Sequence, residues 1–90
     1  MSPKRSVLIV DGSEESREVF RAALGREGME VREAARADEG LELARHGSFD
    51  VIVLDMETEA ASDRTVASEF GKAAQASSTP IVVLGAARRQ

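Results

Sequence analysis

Three apolar tetrapeptides constrain this chain more tightly than any other feature: residues 7–10, 51–54 and 81–84 are built only of Val, Ile and Leu. Each is too short for a helix, and each is bounded by polar or turn-forming residues. Such runs predict strands buried on both faces, as in a parallel sheet covered by helices. They fall far short of the roughly 18 to 20 consecutive apolar residues that a membrane-spanning helix needs. No apolar stretch follows a charged start, so no secretory signal is expected.

The segments between these runs have a helical rhythm. Over residues 13–27, Ser16, Val19, Phe20, Ala23 and Leu24 share one stripe, with Glu15, Glu18, Arg21 and Arg26 opposite. Ser13 is the expected N-cap and Gly28 the expected residue just past the last turn. Residues 29–34 alternate apolar and polar, which suits an edge strand with one wetter face. A second helix is expected over residues 38–46, with Leu41, Leu43 and Ala44 inward and Gly47 closing it. Residues 49–54 make the next strand and residues 55–62 a loop, after which Ser62 caps a third helix with Val66, Phe70, Ala73 and Ala74 inward. Residues 77–80 turn the chain into the last strand. The order β-α-β-α-β-α-β predicts an α/β fold in three layers: an open parallel sheet of four strands with three helices on its two faces. Residues 1–90 are expected to form one domain, frayed at residues 1–5 and 86–90.

Composition narrows the function. Twelve basic against sixteen acidic residues give a net charge of −4 with no basic stripe, which argues against nucleic acid and anionic membrane as partners. With no Cys there is no disulfide framework or thiolate chemistry, and a reducing, cytoplasmic setting is expected. A single His excludes a His-rich metal site. Of the hydrophobic residues 14 are Ala, leaving 24 larger apolar side chains for a thin core.

Ligands of open parallel sheets collect beyond the carboxyl ends of the strands. Asp11-Gly12, Asp55 and Gly85 stand there. If the strands are ordered 2-1-3-4, Asp11 and Asp55 stand on neighbouring strands, and two such carboxylates with a backbone carbonyl and water suit Mg²⁺. Plainer roles are open to the same residues: Asp11 as a helix cap, Asp55 as a solvated acid, and Glu14 and Glu15 as acids favoured at a helix N-terminus. His46 falls in the last turn of the second helix, and Arg88 and Arg89 read as a solvated tail. Asp11-Gly12-Ser13-Glu14-Glu15 is not a glycine-rich dinucleotide fingerprint.

Residues 7–11 (Val-Leu-Ile-Val-Asp), the helix of Arg17, Gly28-Met29-Glu30-Val31 and residues 49–55 (Phe-Asp-Val-Ile-Val-Leu-Asp) together resemble the receiver domain of bacterial response regulators, over residues 6–85. The resemblance implies a flavodoxin-like fold with its four strands ordered 2-1-3-4 and a place in two-component phosphorelay signal transduction, with a histidine kinase as partner and no enzymatic role of its own. It further implies that Asp55 is the phosphoacceptor and that Mg²⁺ is held by Asp11, Asp55 and the backbone carbonyl of Glu57. The chemistry is sound, because a carboxylate attacks an activated phosphoryl group once a divalent cation offsets the charge repulsion. A Mg²⁺-dependent phosphohydrolase built on Asp11 and Asp55 would lack a general acid.

The chain departs from the family pattern at several positions. Gly12 stands where a second acid is usual, and Gly85 where a hydroxyl is usual. Residues 56–63 lack the family's Met-Pro and Gly and add Glu57 and Glu59, and residues 85–90 hold no lysine to match the one the family places after its fifth strand. Weak Mg²⁺ binding is therefore expected. Two readings follow: an atypical stand-alone receiver phosphorylated at Asp55, or a degenerate receiver serving as a phosphorylation-independent interaction module. A bare sheet face and an open fourth-strand edge predict a homodimer, or docking on a partner, through that edge.

Overall fold

The computed structural model describes residues 4–61 and 63–85. The expectations for Ser62, for residues 1–3 and for residues 86–90, Arg88 and Arg89 among them, lie outside the described residues. The element order is β1 (Ser6–Val10), α1 (Glu14–Arg26), β2 (Glu30–Ala34), α2 (Ala37–His46), β3 (Val51–Asp55), α3 (Arg64–Ala76) and β4 (Ile81–Leu84). The strands form one parallel sheet in the order β2-β1-β3-β4. From β1 the chain first steps outward to β2 and then back across to β3. Right-handed crossovers therefore place α1 on one face and α2 with α3 on the other.

Alternation along β1 serves both faces. Leu8 and Val10 join Ala34, Ile52, Leu54, Leu41, Ala44 and Phe70 in the core beneath α2 and α3, while Val7 and Ile9 are buried on the opposite side. Gly40 lets α2 settle onto this core, since a Cβ there would lie 2.6 Å from Val10 Cγ2 and 3.3 Å from Phe70 Cζ. Ser13 caps α1 as expected, its hydroxyl accepting from the Ser16 N–H at 3.2 Å. Gly28 follows α1 with φ +80°, the left-handed conformation that glycine adopts freely.

Several expectations need correction. α2 starts at Ala37 after an N-cap Arg36 that makes no side-chain capping bond. β3 begins at Val51, and Phe49 lies before it, partly buried against the core. The N-cap of α3 is Asp63, whose Oδ1 accepts from Thr65 N–H at 2.8 Å and Val66 N–H at 3.2 Å. β4 is not buried on both faces: Val82 is 45% and Val83 52% exposed. The stripe of α1 is also rotated from the expected one. Phe20 and Leu24 are half-buried, whereas Val19 is 68% exposed and Ala23 exposed. Arg17 turns inward instead, its NH2 3.3 Å from Glu14 and its NH1 3.8 Å from Glu33 of β2. Arg21 forks onto Glu33 at 2.6 and 3.0 Å, so two arginines anchor α1 over β2. That anchoring leaves the far flank of the helix, with Val19 and Ala23, without cover.

Candidate functional site

The register sets Val10 beside Ala34 on one side and Leu54 on the other. Asp11, one residue past β1, and Asp55, the last residue of β3, therefore meet at the carboxyl edge of the sheet. They line a cleft of about 470 Å³ with Gly12, Ser13, Ala35, Glu57 and Glu59. Asp11 is buried, its N–H donating to the Ala34 carbonyl at 3.0 Å. Its Oδ1 accepts from the Ser13 N–H at 2.9 Å, so it shapes the turn into α1 while Ser13 does the capping. Glu14 and Glu15 occupy the first turn of α1, where the helix dipole favours acids, and neither is a lining residue of the cleft.

Asp55 is half-buried, and its Oδ1 accepts from the Glu57 N–H at 2.9 Å. β4 brings Gly85 against the same oxygen. Gly85 has φ +76°, and a Cβ built on it would lie 2.6 Å from Asp55 Oδ1 and 3.3 Å from Glu57 Cγ. Glycine is therefore required here both by the backbone and by the carboxylate beside it. Gly12 is different: its φ is not positive, and a Cβ there would meet Ala35 O at an ordinary 3.4 Å.

The loop after β3 is closely tied. Thr58 N–H donates to Asp55 O at 3.0 Å and Ala61 N–H to Thr58 O at 2.9 Å, while Ala60 takes φ 75°, a strained value for a residue with a side chain. Ala37 N–H donates to Glu59 O at 2.9 Å, joining this loop to the start of α2. Arg36 reinforces the join, with NH1 2.9 Å from Glu59 Oε2 and with Nε and NH2 forked on Asp38 at 3.0 and 3.1 Å. Hydrogen bonds donated to Asp38 and then to Glu59 hold the Arg36 guanidinium well above its ordinary pKa. The Glu59 charge on the cleft wall is thus answered by a cation at its rim. His46 stands apart from the cleft, its exposed ring 3.0 Å from the Glu42 carbonyl in the last turn of α2.

Thr58 is the site residue that sequence reading missed. It is buried, it accepts from the Gly12 N–H at 3.2 Å, and it donates to the Val10 carbonyl at 3.4 Å. A lone threonine in a polar loop gives no signal of partners lying 46 and 48 residues away.

Among the described residues no group of three or more His, Cys, Asp or Glu side chains is placed to hold a metal. Mg²⁺ does not need such a group, since it keeps several waters and is commonly held by one or two carboxylates. The pair Asp11 and Asp55, with the neighbouring Glu57 backbone, fits that need.

A family model described as the response regulator receiver domain matches residues 7–90. No curated protein matches the sequence. Among solved structures, a CheY-like receiver domain protein from Methanospirillum hungatei is 24% identical with a TM-score of 0.75, and the alignment covers 90% of this chain and 63% of that one. A chain of the complex between the histidine kinase ThkA and the response regulator TrrA is 29% identical with a TM-score of 0.77, covering 94% of this chain and 72% of that one. A Burkholderia pseudomallei response regulator, solved with a phosphorylated aspartic acid and a calcium ion, is 25% identical with a TM-score of 0.72, covering 89% of this chain and 46% of that one. The chain thus spans less than two thirds of the length of two of these three proteins. With the parallel sheet, its strand order and its acidic carboxyl edge in agreement with a match that runs from β1 past β4, this chain belongs to the response regulator receiver domain family.

Proposed function

We propose that residues 6–85 form one receiver unit of a two-component system and that Asp55 accepts a phosphoryl group from the phosphohistidine of a histidine kinase. The observation that carries this reading is the pairing of Asp11 and Asp55 in one cleft at the carboxyl edge of the sheet. The phosphorylated aspartate of the Burkholderia regulator and the kinase complex of TrrA support it by likeness. In the transfer, an Asp55 carboxylate oxygen forms the new P–O bond as the donor's P–N bond breaks, and the released imidazole takes up a proton. Asp11, Asp55 and the Glu57 carbonyl are the proposed ligands of Mg²⁺, which supplies charge neutralisation for the incoming phosphoryl oxygens. The Glu57 N–H holds Asp55 Oδ1 and so orients the carboxylate. The domain acts as an acceptor in a signalling relay and not as an enzyme that turns over a substrate.

The test is incubation with Mg²⁺ and acetyl phosphate, read by intact mass. One added phosphoryl group is expected on the wild type and none on Asp55→Asn. No adduct under forcing conditions would overturn the assignment.

A second reading, a phosphorylation-independent interaction module, rests on the exposed valines of β4. This strand is apolar on both faces, and no strand lies along its outer edge among the described residues. A second copy offers a self-complementary partner, since a two-fold axis would bring β4 against β4. Sedimentation equilibrium should then show a dimer at micromolar concentration that Val83→Lys dissociates. A well-folded monomer at that concentration would remove this reading.

A further inference from the structure

One hydroxyl joins the two loops that carry the cleft's acids. Thr58 Oγ1 accepts from the N–H of Gly12 and donates to the carbonyl of Val10, so its two hydrogen bonds bracket Asp11 in the chain. The Thr58 N–H donates to the Asp55 carbonyl at 3.0 Å, and Glu57 is the residue immediately before it. A single residue therefore grips the backbone on both sides of one acid and at the other. Thr58 is buried, its bond to Val10 is shielded from water and its bond to Gly12 is partly so, and the hydroxyl's one donor and an acceptor lone pair are both in use. Gly12 carries no side chain that could hold the turn after β1 in another way. Nothing else bonds the Gly12 N–H within the described hydrogen bonds.

We propose that Thr58 is a positioning residue: its hydroxyl fixes Asp11 relative to Asp55 and the Glu57 carbonyl, and thereby sets the affinity of the cleft for a divalent cation. This rests on the reading of those three groups as the cation's ligands. Without the hydroxyl, the Gly12 N–H and the Val10 carbonyl lose a buried partner. Gly12 then moves toward water to recover one, and it draws Asp11 with it. Groups that orient metal ligands commonly change affinity by about 10- to 100-fold when removed.

The experiment titrates Mg²⁺ by calorimetry into the wild type, Thr58→Val and Thr58→Ser, with the hydrogen exchange of the Gly12 amide followed by NMR. Thr58→Val keeps the shape and removes the hydroxyl, whereas Thr58→Ser keeps the hydroxyl. The expected result is slow exchange at Gly12 in the wild type, a dissociation constant at least about tenfold weaker in Thr58→Val, and near wild-type affinity in Thr58→Ser. Equal affinity in Thr58→Val, an equal loss in Thr58→Ser, or fast Gly12 exchange in the wild type overturns the proposal. If Thr58→Val does not fold, the wild-type Gly12 exchange and the affinity of Thr58→Ser still put the proposal at risk. A wild type that binds no Mg²⁺, or one whose affinity is untouched in Asp11→Asn, overturns the ligand assignment and this inference with it.

Discussion

Replacing Gly85 with Ala should destabilise the chain by about 2 to 3 kcal/mol, the net of three costs and one offset. A left-handed φ of +76° costs an L-residue about 1 to 2 kcal/mol. Part of this, about 0.4 to 1 kcal/mol, is offset because Ala narrows the unfolded ensemble. The new Cβ, 2.6 Å from Asp55 Oδ1, forces the carboxylate off its rotamer at about 0.5 to 1.5 kcal/mol. The displaced oxygen also loses the Glu57 N–H, a further 0.5 to 1.5 kcal/mol or about that. Gly28 isolates the first effect: its φ is +80°, but a Cβ there meets nothing within 4 Å. Gly28→Ala should therefore cost only about 1 kcal/mol. Asp55→Ala isolates the rest, because without the carboxylate Gly85→Ala should cost no more than Gly28→Ala, a coupling of about 1 to 2 kcal/mol. Urea unfolding followed by far-UV circular dichroism measures all of these, the chain having no Trp or Tyr for fluorescence. Equal costs at positions 85 and 28, or no coupling to Asp55, would refute the reasoning. If it holds, Gly85→Thr will not rebuild a hydroxyl beside Asp55 but will push the carboxylate aside.

Three further outcomes are expected. Gly12→Asp fits the backbone, and its Cβ meets Ala35 O at 3.4 Å; by adding a charged ligand it should tighten Mg²⁺ binding on the order of tenfold, and an unchanged calorimetric titration would count against the cleft as the cation site. Gly40→Ala should destabilise by about 1 kcal/mol, because overpacking against Val10 and Phe70 exceeds the gain in helix propensity, whereas Gly71→Ala in the open middle of α3 should stabilise by about 0.5 to 1 kcal/mol; urea midpoints of the same sign for both would contradict the packing argument. The hydrogen bond from Arg21 holds the Glu33 carboxyl below its usual pKa. A depressed folded-state pKa gives stability that is full above the unfolded value, near pH 4.3 or about there, and is lost as pH falls through the folded value. Glu33→Gln should flatten that acid limb by less than about 1 kcal/mol, the pair being partly exposed, and parallel acid limbs would disprove it.

The strands were legible because short apolar runs and one apolar-polar alternation stand between helical segments, although only β1 is buried along almost its whole length; their order came with the family resemblance. What escaped sequence reading depends on what lies opposite a residue in space. Val19 and Val82 look like core residues in one dimension, yet burial needs a facing surface, and none covers them among the described residues. Arg17 was not placed on either face of α1 by the sequence, and in the fold it is largely buried with its charge near Glu33. Ser62 and Asp63 are adjacent and both suited to capping; the carboxylate of Asp63, accepting from two amides, adds charge at the positive end of α3. The two glycines at the site mark the limit most clearly. In the sequence Gly12 and Gly85 read alike, each as a side chain lost from the family pattern. In three dimensions they are opposites, since Gly12 has room for a side chain and Gly85 is excluded from having one by its φ and by Asp55. The departures at this site are therefore not a uniform decay. One is a missing ligand that a single substitution can supply, and the other is a close approach that leaves no room for a side chain beside the proposed phosphoacceptor.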